Sequence, residues 1–339
     1  MTRTPLFAFI LISILLTCSC SKSNNDTPTP TPPVDTTTLV KPDTLTAGWS
    51  KIKIDTASLY DVFFSNNTVG YSITGNGRLY KSIDGGLTWN LKNNVGQVIN
   101  MSVTNNGNIH IVGGFVPSVI YSSVNGGTSF STTPLNVGNN AFDVFFPDDN
   151  NGFTVCAGVL LQTTDGGINW AGVAPTTGLS LSITGANSLF FLNDSTGWIC
   201  GDGKIFKTNG NLHSWTQSAF TGVPSLNYIV NVYPISGSSV YAINYRNFFK
   251  SVDGGNNFSL IHSFPYLGNA ASSIVPDIHF IDANTGYVNW GNRIYKTTNG
   301  GTSWTPVVSL GGSSYIVEIH FTDANHGWGC TTEIGRAHV

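Results

Sequence analysis

The sequence predicts an all-β protein built from repeated units of four short strands. Of its 339 residues only 10% are charged, whereas 38 are Gly and 12% are aromatic. Gly, Asn and Ser favour turns, and aromatic residues favour strands. Helix-favouring residues are scarce, since Glu and Met each occur only twice. The formal net charge of −3 indicates no basic surface for nucleic acid.

A turn motif recurs six times along the chain. Its first copy, residues 82–89, reads SIDGGLTW, and its copies end in an aromatic residue at positions 89, 130, 170, 215, 258 and 304, spaced by 40 to 46 residues. An Asp or Asn in this position accepts hydrogen bonds from its own turn, and the closing aromatic ring packs between neighbouring sheets. We assign these structural roles to Asp84, Trp89, Asn125, Asp165, Trp170, Asp253, Asn299 and Trp304.

A second motif precedes each turn. It consists of an apolar strand, a polar turn and then Gly followed by an aromatic residue. The clearest copies begin at Asp61, Asp143, Leu189, Asp277 and Glu318, with weaker copies near Asn100 and Asn231. Together with the strands before and after each closing aromatic, every period contains four strands.

Four strands in about 40 residues is typical of a β-propeller blade. The turn motif resembles the Asp-box (BNR-type, neuraminidase-type) repeat, and its combination with Gly-aromatic pairs is most similar to propellers of the photosystem II assembly/stability-factor type. The resemblance covers residues 48–332. It implies a propeller fold, whereas Asp-box turns occur in enzymes and in scaffolds, so function must be argued from the site.

The repeats predict a seven-bladed β-propeller of four-stranded antiparallel blades over residues 48–332, with the last blade truncated. Residues 48–54 are similar to the fourth strand of a blade and would close the ring. After Cys330 the expected third strand and Asp-box turn do not follow. We interpret residues 333–339 as a non-native translation of sequencing-adapter DNA and predict an open edge and reduced stability there.

The N-terminus predicts export and lipid anchoring. Residues 1–19 are typical of a lipoprotein signal peptide, because Arg3 precedes an apolar run, Leu6–Leu16, that is too short to span a bilayer. Cys20 follows the small residue Ser19 and is the predicted lipidation site. An ordinary cleaved signal peptide is the alternative. Residues 20–47 form a Thr/Pro-rich linker, and Ser21 favours the outer membrane.

The candidate ligand site lies at one end of the predicted ring. Equivalent repeat positions place a ring of polar side chains at the axis, on the face opposite the Asp-box turns: Asp61, Asn100, Asp143, Ser188, Asn231, Asp277 and Glu318. Arg78, Arg246 and Arg293, with Lys204, are predicted to lie outside it. Ring closure brings Asp61, Asp277 and Glu318 together. The alternative is that the carboxylates brace neighbouring loops and that the basic residues are solvated.

A hydrolase is the alternative function. A sialidase-like or other glycan-processing enzyme needs two carboxyl groups at a defined separation, and Asp277 and Glu318 are the candidate pair. The remaining signature of a sialidase is absent: the three arginines are repeat-equivalent and lie in different blades.

Metal and thiol chemistry are weaker interpretations. His279 and His320 occupy equivalent positions in adjacent repeats, where Phe63 stands in another, so packed imidazoles are expected rather than a metal site. Cys156, Cys200 and Cys330 fall in second strands, and their odd number favours buried free thiols. We therefore predict no metal and no cofactor.

The sequence favours a non-catalytic module, anchored in the cell envelope, that binds or assembles a protein or glycan through one propeller face. The predicted ligand-binding residues are Asp61, Asp143, Asp277, Glu318, Arg78, Arg246 and Arg293. The expected partner is an envelope protein or glycan, with no nucleic acid, and the membrane is reached only through the lipid. Further domains beyond the repeats are a third possibility.

Overall fold

The described part of the chain covers most of the repeat region. The computed structural model describes residues 43–46, 48–113, 117–137, 140–156, 159–174, 178–179, 186–201, 203–222, 229–265, 276–310, 315–331 and 336–338. The predicted signal peptide (1–19), Cys20, most of the linker (20–47) and residues 332–335 and 339 lie outside these ranges. No helix within them is long and apolar enough to cross a bilayer.

Six antiparallel blades are each formed by four consecutive strands. Blade one contains β3 Leu59–Phe64, β4 Gly70–Thr74, β5 Arg78–Ser82 and β6 Asn90–Asn94; blade two contains β7 Val98–Val103, β8 Ile109–Gly113, β9 Val119–Ser123 and β10 Ser131–Pro134. Blade three contains β11 Ala141–Phe145, β12 Gly152–Cys156, β13 Val159–Thr163 and β14 Ala171–Gly172; blade four contains β15 Ala186–Phe191, β16 Thr196–Gly201, β17 Lys204–Asn209 and β18 Thr216–Gln217. Blade five contains β20 Ile229–Pro234, β21 Val240–Asn244, β22 Asn247–Ser251 and β23 Asn257–Ser263; blade six contains β24 Ile278–Phe280, β25 Gly286–Trp290, β26 Arg293–Thr297 and β27 Thr305–Ser309.

The remaining sheet is a five-stranded composite of both ends of the repeat region, which we call the closing sheet. It contains β28 Ile316–Phe321, β29 Gly327–Thr331, β30 Arg336–His338, β2 Trp49–Ile52 and β1 Asp43–Thr46. The prediction of seven four-stranded blades with a truncated last blade is therefore wrong. The structure has six blades of consecutive strands. The closing sheet does contain a third strand, β30, which pairs with both β29 and β2.

Two strands depart from the repeat pattern. β1 lies within the segment that the sequence assigns to the linker, and it pairs with β2. After the short β18, the chain crosses to the next blade, where β19 (Ala219–Thr221) pairs in parallel with β23. Blade five therefore gains an additional outer strand, which covers an edge that would otherwise expose unpaired backbone groups.

Five of the seven interfaces between neighbouring sheets are packed around a Phe at or just after the end of the first strand. An aromatic ring of the preceding sheet stacks on it with ring centroids 3.5 to 4.1 Å apart: Trp328 on Phe64, His110 on Phe146, Phe153 on Phe191, Tyr241 on Phe280 and Tyr287 on Phe321. A Trp from the sheet of that Phe meets its ring edge-on, with centroids 5.7 to 6.3 Å apart: Trp89, Trp170, Trp215, Trp304 and, in the closing sheet, Trp49. These rings bury the apolar faces that one blade cannot cover alone.

This packing explains the Gly of the Gly-aromatic motif. A Cβ at Gly152 would lie 2.3 Å from the ring of Phe146, and one at Gly197 would lie 2.3 Å from the ring of Phe191. The same holds at Gly70, Gly286 and Gly327. The glycine is thus required by close approach to the interface Phe.

The Asp-box turns are stabilised mainly by their own residues. Asp84 accepts hydrogen bonds from the backbone N–H of Thr88 (2.9 Å) and from the hydroxyl of Ser82 (2.8 Å). The Ser82 oxygen in turn accepts the N–H of Gly86 at 2.6 Å. Asn125, Asp165, Asp253 and Asn299 repeat the pattern. The Ser or Thr two residues before the acid is a part of this turn that the sequence analysis did not identify.

Candidate functional site

A cavity of about 560 Å³ lies on the propeller axis and is lined by residues of the first strands of all six blades and the closing sheet. All seven positions of the predicted polar ring line it: Asp61, Asn100, Asp143, Ser188, Asn231, Asp277 and Glu318. We call these seven residues the carboxyl layer. The repeat offsets thus placed them correctly around one axis.

Three carboxylates of this layer each connect their own blade to the following sheet. Asp61 accepts the backbone N–H of Met101 at 3.0 Å, Asp143 that of Leu189 at 2.8 Å, and Asp277 that of Ile319 at 3.1 Å. Asp143 and Asp277 also accept the N–H of the residue that follows them, at 2.8 and 2.7 Å. The bracing role considered from the sequence is therefore present, and it links neighbouring blades rather than loops.

The carboxyl layer is electrostatically crowded. Burial raises the pKa values of Asp61 and Asp143 to about 7 each. Backbone hydrogen bonds to the two carboxylates lower these pKa values but are outweighed by burial. Burial raises the pKa of Asp277 to about 6. Glu318 hydrogen-bonds to Asp277, and burial, followed by the charges of Asp277 and Asp61, raises its pKa well above the usual value. The predicted proximity of Asp61, Asp277 and Glu318 is present in the structure.

A second layer of side chains lies two residues further along the same strands and was not recognised from the sequence. We call it the aromatic layer; it consists of Phe63, Phe145, Phe190, Tyr233, His279 and His320. Successive ring centroids are 4.5 to 5.6 Å apart from Phe145 through His320, and Phe63 lies 4.6 Å from His320. Ser102 takes the equivalent position in blade two, between Phe63 and Phe145. The sequence signal for this layer was the two-residue spacing between Asp61 and Phe63, which places both side chains on the same face of the strand.

The cavity extends from the carboxyl layer towards the Asp-box face. Beyond the aromatic layer its wall continues to Asn105, Pro147 and Leu192, which follow the ends of first strands. A more open cavity of about 740 Å³ shares Phe63, His279 and His320 and reaches the turn at residues 65–68. The prediction that the site faces away from the Asp-box turns is thus corrected: the carboxyl layer forms the floor of a cavity on the Asp-box side.

The arginines do not join the carboxyl layer. Arg78 pairs with Asp55, with Nη1 2.9 Å from Oδ1, and Tyr80 donates to the same carboxylate at 2.6 Å. Arg246 and Arg293 are exposed at the turns between second and third strands. These three residues, and Lys204, are absent from the lining of the axial cavity. The basic ring therefore lies at the opposite end of the sheets.

The two histidines of the aromatic layer are neutral ring partners. Burial lowers the pKa of His320 to about 4, and its Nε2–H donates to the carbonyl of Phe64 at 2.9 Å. Burial and the neighbouring His320 lower the pKa of His279 well below the usual value. Within the described ranges, no group of three or more His, Cys, Asp or Glu side chains is arranged to hold a metal ion.

The cysteines have no part in the cavity. Cys156, Cys200 and Cys330 are buried free thiols. Burial raises the pKa of the Cys156 thiol to about 12, so it is unreactive.

Comparison with known proteins identifies the type of repeat. The model of the family described as photosynthesis system II assembly factor YCF48 matches residues 41–138. No curated protein matches the chain significantly.

Solved structures share the fold at low sequence identity. YCF48 bound to a D1 peptide aligns with a TM-score of 0.67 at 18% identity, over 86% of this chain and 96% of that one. YCF48 from Cyanidioschyzon merolae gives 0.65 at 17% identity, over 86% and 98%. A GH74 xyloglucanase from Xanthomonas campestris gives 0.64 at 12% identity, over 84% of this chain and 52% of the enzyme. The chain is thus similar to YCF48 in both repeat and fold.

Proposed function

We propose, on the premise that the chain is a BNR-repeat propeller similar to YCF48, that it is a non-catalytic binding or assembly module that holds a protein segment in its axial cavity. The observation that carries this proposal is the pairing of a carboxyl layer with an aromatic layer around an open axis. Binding pockets combine apolar walls with a few convergent polar groups in this way. A YCF48 structure of similar fold holds a peptide, which supports a protein ligand.

The arrangement of the candidate catalytic pair argues against hydrolysis. Glycosidases separate their two carboxyl groups by about 5 to 9.5 Å so that a sugar or a water lies between them. Here both oxygens of Asp277 accept backbone N–H groups, and the side-chain amide of Asn231 donates to the same carboxylate at 2.7 Å. These contacts suit a braced carboxylate rather than a free nucleophile or base.

Binding to arrays of short peptides and of glycans tests the proposed function. The full-length protein is expected to bind a subset of unbiased twelve-residue peptides. Phe190→Ala, in the aromatic layer, should abolish this binding, whereas Val252→Ala, at an exposed Asp-box position on the same face, should not. Binding to glycans alone, or turnover of fluorogenic glycosides that Asp277→Asn with Glu318→Gln abolishes, would overturn the proposal.

We also propose that the module is exported and held in the cell envelope by lipid on Cys20, with the linker as a spacer. This rests on the sequence of residues 1–20. Radiolabelled palmitate should label the wild type and not Cys20→Ala. Equal labelling of both proteins, or of neither, would contradict the anchor.

A further inference from the structure

The aromatic layer is exposed to the cavity instead of being sealed by packing. Phe63, Phe145, Phe190 and Tyr233 are only partly buried, whereas the residue that directly follows each of them is buried. Ser102 interrupts the layer, and its hydroxyl accepts the N–H of Phe146 at 3.0 Å. The ring faces around the axis therefore remain available to a ligand, and the position of Ser102 widens one side of the passage.

The floor below these rings is acidic and lacks a cation. The carboxyl layer contains Asp61, Asp143, Asp277 and Glu318, and none of the described residues that line the cavity is Lys or Arg. Within the described ranges the ion pairs are Arg78 with Asp55 and His326 with Asp323, and neither pair lies at the axis. The two histidines above the floor are neutral near pH 7 because burial lowers their pKa values. The site is thus complementary to positive charge.

The spacing of the two layers fits one type of side chain. They are two residues apart along the strands, which corresponds to about 7 Å. A lysine stem extends about 6 Å from its Cα to its ammonium group. Such a stem can lie among aromatic rings while the charged end meets oxygen atoms, as amphipathic side chains do elsewhere. Aromatic faces attract ammonium and guanidinium groups by the cation–π interaction.

We infer that the axial cavity takes a lysine or arginine side chain presented by a partner protein, which enters from the Asp-box face. The methylene stem lies within the aromatic layer, and the cationic head hydrogen-bonds to the carboxyl layer. Glu318 is the principal acceptor, because Asp61, Asp143 and Asp277 already accept backbone N–H groups, whereas the cation would replace Asp277 as the hydrogen-bond partner of Glu318. This inference rests on the proposed function and specifies the chemistry of its ligand.

The arrival of the cation would change the carboxyl layer. A positive charge within hydrogen-bonding distance favours the ionised form of a carboxyl group. The elevated pKa values of the empty layer would fall on binding, so that protons are released. This couples ligand binding to the protonation of the floor.

Fluorescence polarisation with four labelled peptides tests the inference. Each peptide is a twelve-residue Gly/Ser chain with a central Lys, Arg, acetyl-lysine or Glu. The full-length protein should bind the Lys and Arg peptides at least tenfold more tightly than the acetyl-lysine and Glu peptides. Phe190→Ala and Glu318→Gln should each weaken the Lys peptide at least tenfold, with Val252→Ala as the matched control.

The aromatic variant excludes simple attraction between opposite charges, since Phe190→Ala leaves the net charge unchanged. Melting temperatures of both cavity variants within a few degrees of the wild type show that folding is retained. Equal affinity for the Lys and acetyl-lysine peptides would overturn the inference. If array peptides without Lys or Arg bind and depend on Phe190, the proposed function stands and this inference fails. If no array peptide binds, both fail.

Discussion

Phe190 and Phe191 are neighbours in the chain, yet they lie in opposite environments. Phe191 is buried between blades three and four, stacked on Phe153 at 3.7 Å with Trp215 at its edge. Phe190 faces the axis and contacts the rings of Phe145 and Tyr233 in the aromatic layer. Successive side chains of a strand point to opposite faces, so one face of the first strands builds the fold and the other builds the site.

The most direct test of this difference is to replace each Phe with Ala in turn. Phe191→Ala is expected to destabilise the protein by about 3–5 kcal/mol, because a buried ring is lost from a closed interface. Phe190→Ala should lower stability by only about 1 kcal/mol, while abolishing peptide binding. Chemical denaturation of both variants measures the difference. Equal losses of stability would show that the axis is packed as tightly as the interface.

The division between the two faces also limits what the sequence could predict. The interface Phe, the Gly that follows it and the Asp-box turn act within one repeat or with its neighbour, so repetition at 40 to 46 residues revealed them. The ring of carboxyl positions followed from the same offsets. Those features depend on local geometry that every repeat shares.

The rest of the site depends on closure of the ring, which no single repeat encodes. The aromatic layer as a whole was missed because its positions hold Phe, Tyr, His and Ser in different repeats, so that only the equivalence of Phe63, His279 and His320 was recognised. The closing sheet differs from the predicted truncated blade because β1, from the segment assigned to the linker, and β30, from the segment interpreted as non-native, both pair with β2. β30 formed from residues interpreted as non-native, since backbone pairing places few demands on side chains.

Two carboxylates, one at the axis and one in an exposed Asp-box turn, show the same contrast between the site and the rest of the fold. Asp143 accepts two backbone N–H groups at the axis, one from the next blade, whereas Asp253 accepts the N–H of Asn257 in its own exposed turn. Asp143→Ala leaves two buried donors unpaired and should lower the free energy of unfolding by about 2–4 kcal/mol. Asp253→Ala, the matched control, should lower it by about 1 kcal/mol. Urea denaturation of the two variants compares the bracing between blades with the bracing within one turn. A larger loss of unfolding free energy for Asp253→Ala than for Asp143→Ala would contradict the stronger role of the axial carboxylate.

The pH dependence of stability separates the same two environments. Burial and neighbouring carboxylates raise the pKa of Glu318 in the folded state above its unfolded value. A carboxyl group with a raised folded pKa contributes stability at low pH that is lost as the pH rises through that value. Glu318→Gln removes this loss. Relative to the wild type, the variant should therefore become more stable as the pH rises from 6 to 9.

Calorimetry at the two pH values measures that gain, with Asp253→Asn as the control. The pKa of Asp253 is lowered to about 2 by hydrogen bonds from Asn257, so this group stays ionised across the whole interval. Its variant should therefore show no pH-dependent difference from the wild type. A constant offset for Glu318→Gln as well would mean that Glu318 is ionised throughout.

The smallest expected effect lies at the interface between blades two and three. His110 stacks on Phe146 at 3.5 Å, but its Nε2 has no hydrogen-bond partner among the described residues. The equivalent Tyr287 donates its hydroxyl to the carbonyl of Ala324 at 2.9 Å, and Tyr241 donates to that of Gly300 at 3.2 Å. A tyrosine at position 110 would place its hydroxyl near the corresponding turn of blade three.

His110→Tyr is therefore expected to change stability by less than about 1 kcal/mol at pH 7, because the hydrogen bond that its hydroxyl gains offsets the loss of the bond between His110 Nδ1 and the Ser122 hydroxyl (3.0 Å). A gain should appear on acidification, because burial lowers the pKa of His110 to about 4. A histidine with a lowered folded pKa contributes stability that is lost as the pH falls below its unfolded value. Melting curves at pH 7 and pH 5 measure both effects. His110→Phe, which stacks without a hydroxyl, should share the acid effect but be about 1 kcal/mol less stable than His110→Tyr at pH 7.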